Sequence, residues 1–421
     1  MEHEIRQLEK VLNRILNIPK RQRTDIAIHP IEVKDNIFIK PQMSLDNNLI
    51  IEENSQLQKR IKELSERVFE LEAQLEDYKS QVHNLNVVNF QLTTNEKVLR
   101  EAVLQAKGAI RVVCRIKPTQ GNCHIRFDDK NIFVEDKQYS LNHVFGSSSS
   151  QNEIFREVEP EIESVLEGYS VCIFAYGQTG SGKTYTMCGE GLEEGLIFKS
   201  LDKIKDISNR FRNEGFTVKY IVKYIEVYNE NVRDLISDKA VTIVHDTHSI
   251  KLKDCEEVSA DDIDLISSII KQYSLKRKTG ETNCNVSSSR SHSIFILNVL
   301  IESKNEKRQG SLCLIDLAGS ERLKESKAEN ERLKETQFIN KSLSALGNVM
   351  AALKRKDKHV PFRDSKLTHI MQEYLSGRSR TSMIVNINPE CIEETICTLR
   401  FAIKVSECSL GGASKNINKF I

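Results

Sequence analysis

The chain of 421 residues is longer than a usual single domain, and 39% of its residues are hydrophobic and 29% charged. This composition indicates a globular domain joined to a solvated, rod-like segment. A formal net charge of only +1 excludes a global field that attracts nucleic acid or a membrane, so a polyanionic partner must meet a local basic patch. Ten scattered cysteines without metal-ligand spacing, and the absence of a long apolar run, predict reduced thiols, a reducing intracellular compartment and no membrane partner.

Residues 1–45 predict an irregular head, because proline and lysine punctuate the stretch NIPKRQRTDIAIHPIEVKDNIFIKPQ. Its basic cluster consists of Lys20, Arg21 and Arg23. Such a short basic run fits an acidic partner surface, an import signal or a plain solvated loop, and the sequence leaves these alternatives open.

Residues 46–107 predict a coiled-coil stalk and neck, because apolar residues recur at alternating steps of four and three, the a and d positions of a heptad repeat. These residues are Leu57, Ile61, Leu64, Val68, Leu71, Leu75, Tyr78, Val82 and Leu85. The polar Asn89 and Glu96 at later a positions weaken the seam. A single amphipathic helix packed on the globular part is the alternative, but the narrow stripe and charged flanks favour association with a second chain.

From Gly108 the pattern changes to apolar, β-branched runs separated by amphipathic helical stretches. The runs are IRVVCRI, VCIFAY, VKYIVKYIEVY, SIFILNVLI, SLCLIDL and TSMIVNI, and the helical stretches include LIFKSLDKIKDISNRF and FINKSLSALGNVMAALKRK. Their alternation predicts an α/β fold with a central, mostly parallel sheet flanked by helices on both faces. We place this domain at residues 108–410 and a C-terminal tail at 411–421.

The stretch GQTGSGKT has the spacing G-x-x-x-x-G-K-[ST] of a phosphate-binding loop. In such a loop, backbone N–H groups point at phosphate oxygens, the lysine bridges the terminal phosphates and the hydroxyl binds magnesium. A glycine-rich turn beside a lysine would predict neither the apolar strand VCIFAY before the loop nor the hydroxyl. We therefore predict a site for a nucleoside triphosphate and Mg²⁺ that contains Gly177, Gln178, Thr179, Gly180, Ser181, Gly182, Lys183 and Thr184.

Two later segments are suited to sense the terminal phosphate. The first is NVSSSRSH, residues 285–292, a hydroxyl-dense loop directly before a strand. The second is DLAGSE, residues 316–321, where Asp316 can reach the magnesium shell and Gly319 can offer a backbone N–H to the γ-phosphate. A serine-rich loop alone is more often a linker, but between a phosphate loop and an Asp-ended strand it is a candidate switch.

With FINKSLSALGNV and HVPFRDSKLT, these motifs resemble the kinesin motor domain, in that family's order, from Gly108 to around Val405. The resemblance implies that the bound nucleotide is ATP. Because the motor follows the coiled coil and the chain ends soon after TLRFAIKV, the sequence resembles the C-terminal-motor, minus-end-directed branch. Ala109 stands where that branch usually has asparagine, so a side-chain amide that could bond to the core is missing.

The resemblance also implies roles for residues around the base. Arg115 and Pro118 match the element that borders adenine, with Lys117 in place of the family's second arginine, and Tyr185 flanks the base.

The same resemblance implies the chemistry of the switches. Ser289 corresponds to the contact with magnesium and the γ-phosphate, and Ser288 stands where a hydroxyl passes the proton from the attacking water. Arg290 and Glu321 match the salt bridge that closes the two switches around ATP, and Asp316 holds magnesium through water. The predicted catalytic residues are Ser288, Ser289, Arg290, Gly319 and Glu321, and the predicted metal-binding residues are Thr184, Ser289 and Asp316.

Residues 351–380 form a basic stretch with eight Lys or Arg against three acids in a nearly neutral chain. The microtubule surface is acidic, and the family's microtubule-binding helices lie here, so the resemblance implies a filament-binding face. An ordinary solvated loop is the alternative. The predicted contacts are Lys341, Lys354, Arg355, Lys356, Lys358, Arg363 and Lys366.

The resemblance therefore predicts an ATP hydrolase, a microtubule motor that works in spindle organisation as a homodimer or heterodimer. Its expected location is the cytoplasm and cytoskeleton, with the nucleus or spindle as a further place. A non-catalytic, motor-like subunit would be expected to lose Lys183, Thr184 or the switch residues, and none is lost. A coiled-coil phosphate-loop protein acting on DNA would need a DNA-reading motif, and none is recognised, so we expect no nucleic-acid partner.

Overall fold

The computed structural model describes residues 46–107, 110–119, 125–245, 250–280, 288–321 and 330–419. It divides the chain into two compact units, Met1–Phe90 and Gln91–Ile421. The predicted head at 1–45 and the pair Gly108 and Ala109 lie outside the described residues. Among the helices of the described part, none has the length and apolar character needed to cross a membrane.

The helices of the described residues occupy both the stalk region and the globular unit. They are α1 Asp46–Lys107, α2 Gln151–Val165, α3 Lys183–Cys188, α4 Leu196–Asn213, α5 Ile263–Gly280, α6 Asn330–Arg355, α7 Lys366–Leu375 and α8 Ile392–Ser406.

The strands of the described residues lie in the second unit. They are β1 Arg111–Ile116, β2 Ile125–Phe127, β3 Asn131–Val134, β4 Lys137–Ser140, β5 His143–Phe145, β6 Ser170–Tyr176, β7 Gly189–Glu190, β8 Glu193–Glu194, β9 Thr217–Tyr228, β10 Asn231–Asp234, β11 Thr242–His245, β12 Ile250–Lys253, β13 Val258–Ala260, β14 His292–Glu302, β15 Glu306–Asp316, β16 Arg380–Ile387 and β17 Ile417–Lys419.

Helix α1 is a continuous helix that contains the predicted heptads. The nine apolar a and d residues from Leu57 to Leu85 are all exposed in the single chain, with exposed fractions from 49% at Leu71 to 68% at Leu85. Since a helix in water is stabilised mainly by burial of an apolar face, these residues form a seam suited to a second helix.

The main sheet has ten strands, in the order β10-β9-β14-β15-β6-β16-β1-β5, with β13 beside β9 and β17 beside β15. The pairs β15–β6, β6–β16, β16–β1 and β1–β5 are parallel. The pairs β10–β9, β9–β14 and β14–β15 are antiparallel. The predicted α/β fold is confirmed, and the sheet is mixed, with its parallel part at the centre and one edge.

Helices cover both faces of this sheet. Successive residues of a strand point to opposite sides, so each central strand contributes side chains to both faces. On β6, Cys172 and Phe174 join one buried cluster, and Val171 and Ile173 join the other. Helices α6, α7 and α8 pack on the first side, and α2, α4 and α5 on the second. Central strands buried on both faces explain the unbroken apolar runs in the sequence.

The described part of the C-terminal tail also belongs to the sheet. Strand β17 pairs antiparallel with the start of β15, and the Gln309 backbone N–H donates to the Asn416 carbonyl at 3.0 Å. The Asn416 N–H donates in turn to the Gly168 carbonyl at 2.8 Å. Residues after α8 therefore add a short strand that pairs antiparallel with the first residues of β15.

Candidate functional site

The phosphate loop connects the carboxyl end of β6 to α3 and lines an open cleft of about 700 Å³. Gly177 and Gly182 have φ values of +152° and +96°, which L-residues rarely adopt. A Cβ at Gly177 would also lie 2.0 Å from the Asn386 carbonyl oxygen, so only glycine fits there. The cleft is lined by Arg115, Lys117, Pro118, Ser147, Ser148, Ser149, Ser150, Thr179, Gly180, Ser181, Gly182, Lys183, Thr184, Tyr185, Glu190, Glu193, Ser289 and Asn386.

Lys183 is buried beneath this loop, with 6% of its surface exposed. Its Nζ donates to the carbonyls of Gly177 and Gln178 at 2.8 and 2.9 Å. Burial lowers the pKa of Lys183, while the carboxylates of Asp316 and Glu321 act in the opposite direction. A desolvated ammonium that donates to neutral carbonyls is well prepared to bind phosphate oxygens, because charge-assisted hydrogen bonds are stronger.

Thr184 lines the cleft and contacts Asp316, because the Thr184 hydroxyl donates to Asp316 Oδ2 at 2.7 Å. Strand β15 runs parallel beside β6, with Asp316 opposite Ala175, and this register delivers the carboxylate to the loop. Ser289 lines the same cleft. Hydroxyl and carboxylate oxygens are the hard ligands that Mg²⁺ prefers, so the predicted metal-binding residues fit the ion.

Arg115 and Tyr185 form one wall of the cleft. The Arg115 guanidinium carbon lies 4.8 Å from the centroid of the Tyr185 ring. Its Nη1 donates to Gln151 Oε1 at 2.9 Å and to Thr186 Oγ1 at 3.0 Å, so the guanidinium is fixed in orientation. Pro118 lines the cleft beside them. A guanidinium and an aromatic ring give a planar, polarisable surface suited to a nucleobase.

The sequence did not single out the residues that hold this wall. Gln151 Nε2 donates to the Tyr185 carbonyl at 2.7 Å, and Asn386 Nδ2 donates to Thr186 Oγ1 at 2.9 Å. Glu193 accepts a hydrogen bond from the Tyr185 hydroxyl. Asn386 could have been found, since it is a polar residue near the end of the apolar run TSMIVNI, where parallel strands end beside a ligand.

The two candidate switches are joined by backbone contacts. Ser289 and Arg290 belong to a short 3₁₀ helix, Ser288–Arg290, and the Gly319 N–H donates to the Ser289 carbonyl at 2.9 Å. The Ser320 N–H donates to the Gly177 carbonyl at 3.1 Å. Both candidate switches are thus tied together, and the second is tied to the phosphate loop. The side chain of Ser288 lies outside the described residues, so its proton-transfer role stays a prediction.

Glu321 contacts the phosphate loop. Its Oε2 accepts the backbone N–H of Thr179 at 2.7 Å, and its Oε1 accepts the Thr179 hydroxyl. A Cβ at Gly319 would lie 2.3 Å from both Glu321 Oε2 and Thr179 Oγ1, so the contact depends on glycine at 319. The predicted ion pair between Glu321 and Arg290 stays a prediction.

The predicted filament contacts are all exposed and come from three consecutive segments: α6, the connection that follows it, and the start of α7. Two of them bind acidic residues in the chain itself. Lys354 Nζ lies 2.6 Å from Glu407 Oε2, and Arg355 Nη2 lies 2.7 Å from Asp357 Oδ2. Their contact with microtubules stays a prediction.

Residues 99–408 match the model of the kinesin motor domain family. The chain is 41% identical to kinesin-like protein KIN-14D of Arabidopsis thaliana, over 75% of this chain and 45% of that protein. It is also 41% identical to kinesin-like protein KIN-14N of Oryza sativa subsp. japonica, with the same coverage of 75% and 45%. The chain therefore spans less than half the length of these relatives.

Solved structures of kinesin motors also match this chain. The motor domain of the kinesin-like protein Kar3 from Saccharomyces cerevisiae is 37% identical, with a TM-score of 0.63 over 71% of this chain and 99% of that chain. The C-terminal motor and motor homology domain of Kar3Vik1, fused to a synthetic heterodimeric coiled coil, is 34% identical. Its TM-score is 0.65 over 83% of this chain and 99% of that chain.

Proposed function

Because the chain belongs to the kinesin motor family, we propose that it is a microtubule-stimulated ATPase that converts ATP hydrolysis into movement along microtubules. The observation that carries this proposal is the joining of both switches at the cleft, through the Gly319 N–H donated to the Ser289 carbonyl. A change at the terminal phosphate can therefore reach both segments at once.

The side chains of the cleft suit phosphoryl transfer, which depends on positioning and charge stabilisation more than on covalent chemistry. Lys183 would hold the terminal phosphates, and Thr184 and Asp316 would hold Mg²⁺, Asp316 through water. The metal supplies charge neutralisation at the phosphates. Ser289 would hold the γ-phosphoryl group in line with the attacking water, and the Gly319 N–H would turn to that group from the Ser289 carbonyl when ATP is bound.

Closure of the switches completes this arrangement. The Arg290 guanidinium and the Glu321 carboxylate would pair when ATP is bound and order the attacking water, with the Ser288 hydroxyl accepting its proton and passing it on. Release of phosphate would then loosen both switches and move the helix that follows the second switch.

We further propose a two-stranded, parallel stalk. The a positions include Ile61 and Val68, and the d positions include Leu64 and Leu71. A β-branched residue at a with leucine at d favours two parallel strands. Arg67 at a g position and Glu72 at the next e position carry opposite charges, which suits two identical chains in register.

Minus-end-directed movement and a role in spindle organisation form the finer part of the proposal. The support is the order of the elements, since the heptad helix α1 precedes the motor domain. The Kar3Vik1 structure is described as a C-terminal motor.

A gliding assay tests both activity and direction. The protein is tethered by its N-terminus, ATP is added, and polarity-marked microtubules are followed. Movement of the motor toward the minus end supports the proposal, and travel toward the plus end contradicts the direction only. Binding without gliding contradicts the motor function.

Matched variants control this assay. Lys183→Ala removes the phosphate contact and should stop gliding, whereas Lys219→Ala changes an exposed lysine on β9 and should not. Sedimentation equilibrium of the full chain should give twice the chain mass. A monomer would overturn the homodimer and favour a different partner chain.

A further inference from the structure

The buried imidazole of His292 joins three elements of the motor domain. His292 begins β14, and only 3% of its surface is exposed. Its Nδ1 accepts the backbone N–H of Ala318 at 3.0 Å, and its Nε2 lies 2.7 Å from the Ser342 hydroxyl on α6. Since Nδ1 accepts, the neutral ring carries its proton on Nε2 and donates it to Ser342.

His292 lies close in the sequence to Ser289, which lines the nucleotide cleft. Three residues upstream, the Ser289 carbonyl accepts the Gly319 N–H. Ser291 is anchored to β9, because its hydroxyl donates to Glu226 Oε1 at 2.6 Å. The first switch thus contacts residues 318 and 319 through two neighbouring hydrogen bonds, and a shift of that segment acts directly on the imidazole.

The other end of this connection is α6. Ser342 is 3% exposed and faces the core, whereas the preceding residue, Lys341, is exposed on the same helix. An α-helix transmits a displacement along its length because its backbone hydrogen bonds keep it rigid. A displacement at Ser342 therefore reaches Lys341 and, at the far end of α6, Lys354.

We propose that His292 and Ser342 are positioning residues that couple the nucleotide cleft to α6. Their hydrogen bond would transmit the position of residues 318 and 319 to the exposed basic residues of that helix. The inference rests on the proposed function and deepens it. Ser342 lies on α6 and is not among the residues that line the nucleotide cleft, so its loss should reduce microtubule stimulation of ATP turnover and spare basal turnover.

The test compares two serines on one helix of the full-length protein. Ser342→Ala removes the hydroxyl, and Ser344→Ala removes an exposed hydroxyl two residues away as the matched control. ATP turnover is measured without microtubules and at saturating microtubules. We expect Ser342→Ala to lower the stimulated rate about fivefold, with basal turnover and the KM for ATP within about twofold of the parent protein. Ser344→Ala should match the parent.

A second pair of variants guards against a merely structural effect. Ser342→Thr keeps the hydroxyl and should retain stimulation. His292→Asn keeps an acceptor for Ala318 and loses the reach to Ser342, so it should reproduce the loss. The double variant His292→Asn, Ser342→Ala should be no worse than either single variant, because one hydrogen bond is removed in all three. Urea denaturation checks that each variant is folded.

Each outcome is decisive. Full stimulation of a folded Ser342→Ala variant overturns the coupling and leaves the motor function intact. Additive losses in the double variant also overturn it, since the two residues would then act separately. A parent protein that microtubules do not stimulate overturns the proposed function together with this inference.

Discussion

Both carboxylate oxygens of Glu321 accept hydrogen bonds from Thr179, one from its backbone N–H at 2.7 Å and one from its hydroxyl. This contact joins the second switch to the phosphate loop and competes with the predicted pairing of Glu321 and Arg290. The hydroxyl is the part of it that a mutation can remove, because the backbone donor remains in every variant.

Thr179→Ala is therefore expected to favour the closed arrangement of the switches. A hydrogen bond to a charged group contributes about 1.5–3 kcal/mol when buried, and less at this exposed site, so basal ATP turnover should rise about two- to fivefold. Steady-state ATPase measurements test this expectation, with Thr179→Ser as the control that keeps the hydroxyl. Unchanged turnover in Thr179→Ala would show that the contact does not oppose closure.

Arg290→Ala and Glu321→Ala should each lower microtubule-stimulated ATP turnover by about 100-fold, because either change removes the pair that positions the attacking water. The double variant should lose no more than the worse single variant, since both residues act as one unit. A fluorescent nucleotide checks that binding is kept. Intact turnover in the double variant would show that the switch assignment is wrong.

Arg111 forms a buried ion cluster at the start of β1. It pairs with Glu157 and lies 3.4 Å from Glu161, whose Oε1 also accepts the Ser382 hydroxyl at 2.7 Å. Arg111→Met would leave two largely buried carboxylates without their cation and should lower the free energy of unfolding by about 3–5 kcal/mol.

Urea denaturation measures this loss. Arg126→Met is the control, because Arg126 is an exposed arginine on β2 and should change the free energy of unfolding by less than about 0.5 kcal/mol. An effect of Arg111→Met as small as that of the control would mean that the cluster makes no net contribution to the free energy of unfolding.

Thiol reactivity should follow burial. Cys391 and Cys397 are exposed, whereas Cys408 is fully buried, and burial raises the pKa of its thiol to about 11. A raised pKa leaves less of the reactive thiolate at neutral pH. The double variant Cys391→Ser, Cys397→Ser should therefore lose two rapidly reacting thiols toward a disulfide reagent, and Cys408→Ala should lose none. An equal loss of rapidly reacting thiols in both variants would contradict the burial of Cys408, which follows α8.

Much of the fold could be predicted because its signals are local. The apolar runs VCIFAY and TSMIVNI form β6 and β16, and most of the predicted helical stretch FINKSLSALGNVMAALKRK lies in α6. The direction in which strands pair was harder to predict from the sequence. Strand β14 lies antiparallel between β9 and β15, and nothing in an apolar run states which neighbour it will have or in which direction.

The candidate site divides in the same way. The spacing of GQTGSGKT is sufficient to identify Lys183 and Thr184, because the loop, the helix start and the two side chains lie within eight consecutive residues. Asn386 contributes to the same cleft from a strand 200 positions away from its partner Thr186. No periodicity or spacing relates residues so far apart.

The sequence by itself determined the phosphate loop, the heptad stripe of α1 and the basic stretch at residues 351–380, since each depends on a short local pattern. The tertiary structure alone decided that Glu321 contacts Thr179, that His292 contacts Ser342 and that β17 pairs with β15. The physical reason is that local patterns fix backbone conformation, whereas long-range contacts depend on which strands become neighbours when the two faces of the sheet are buried.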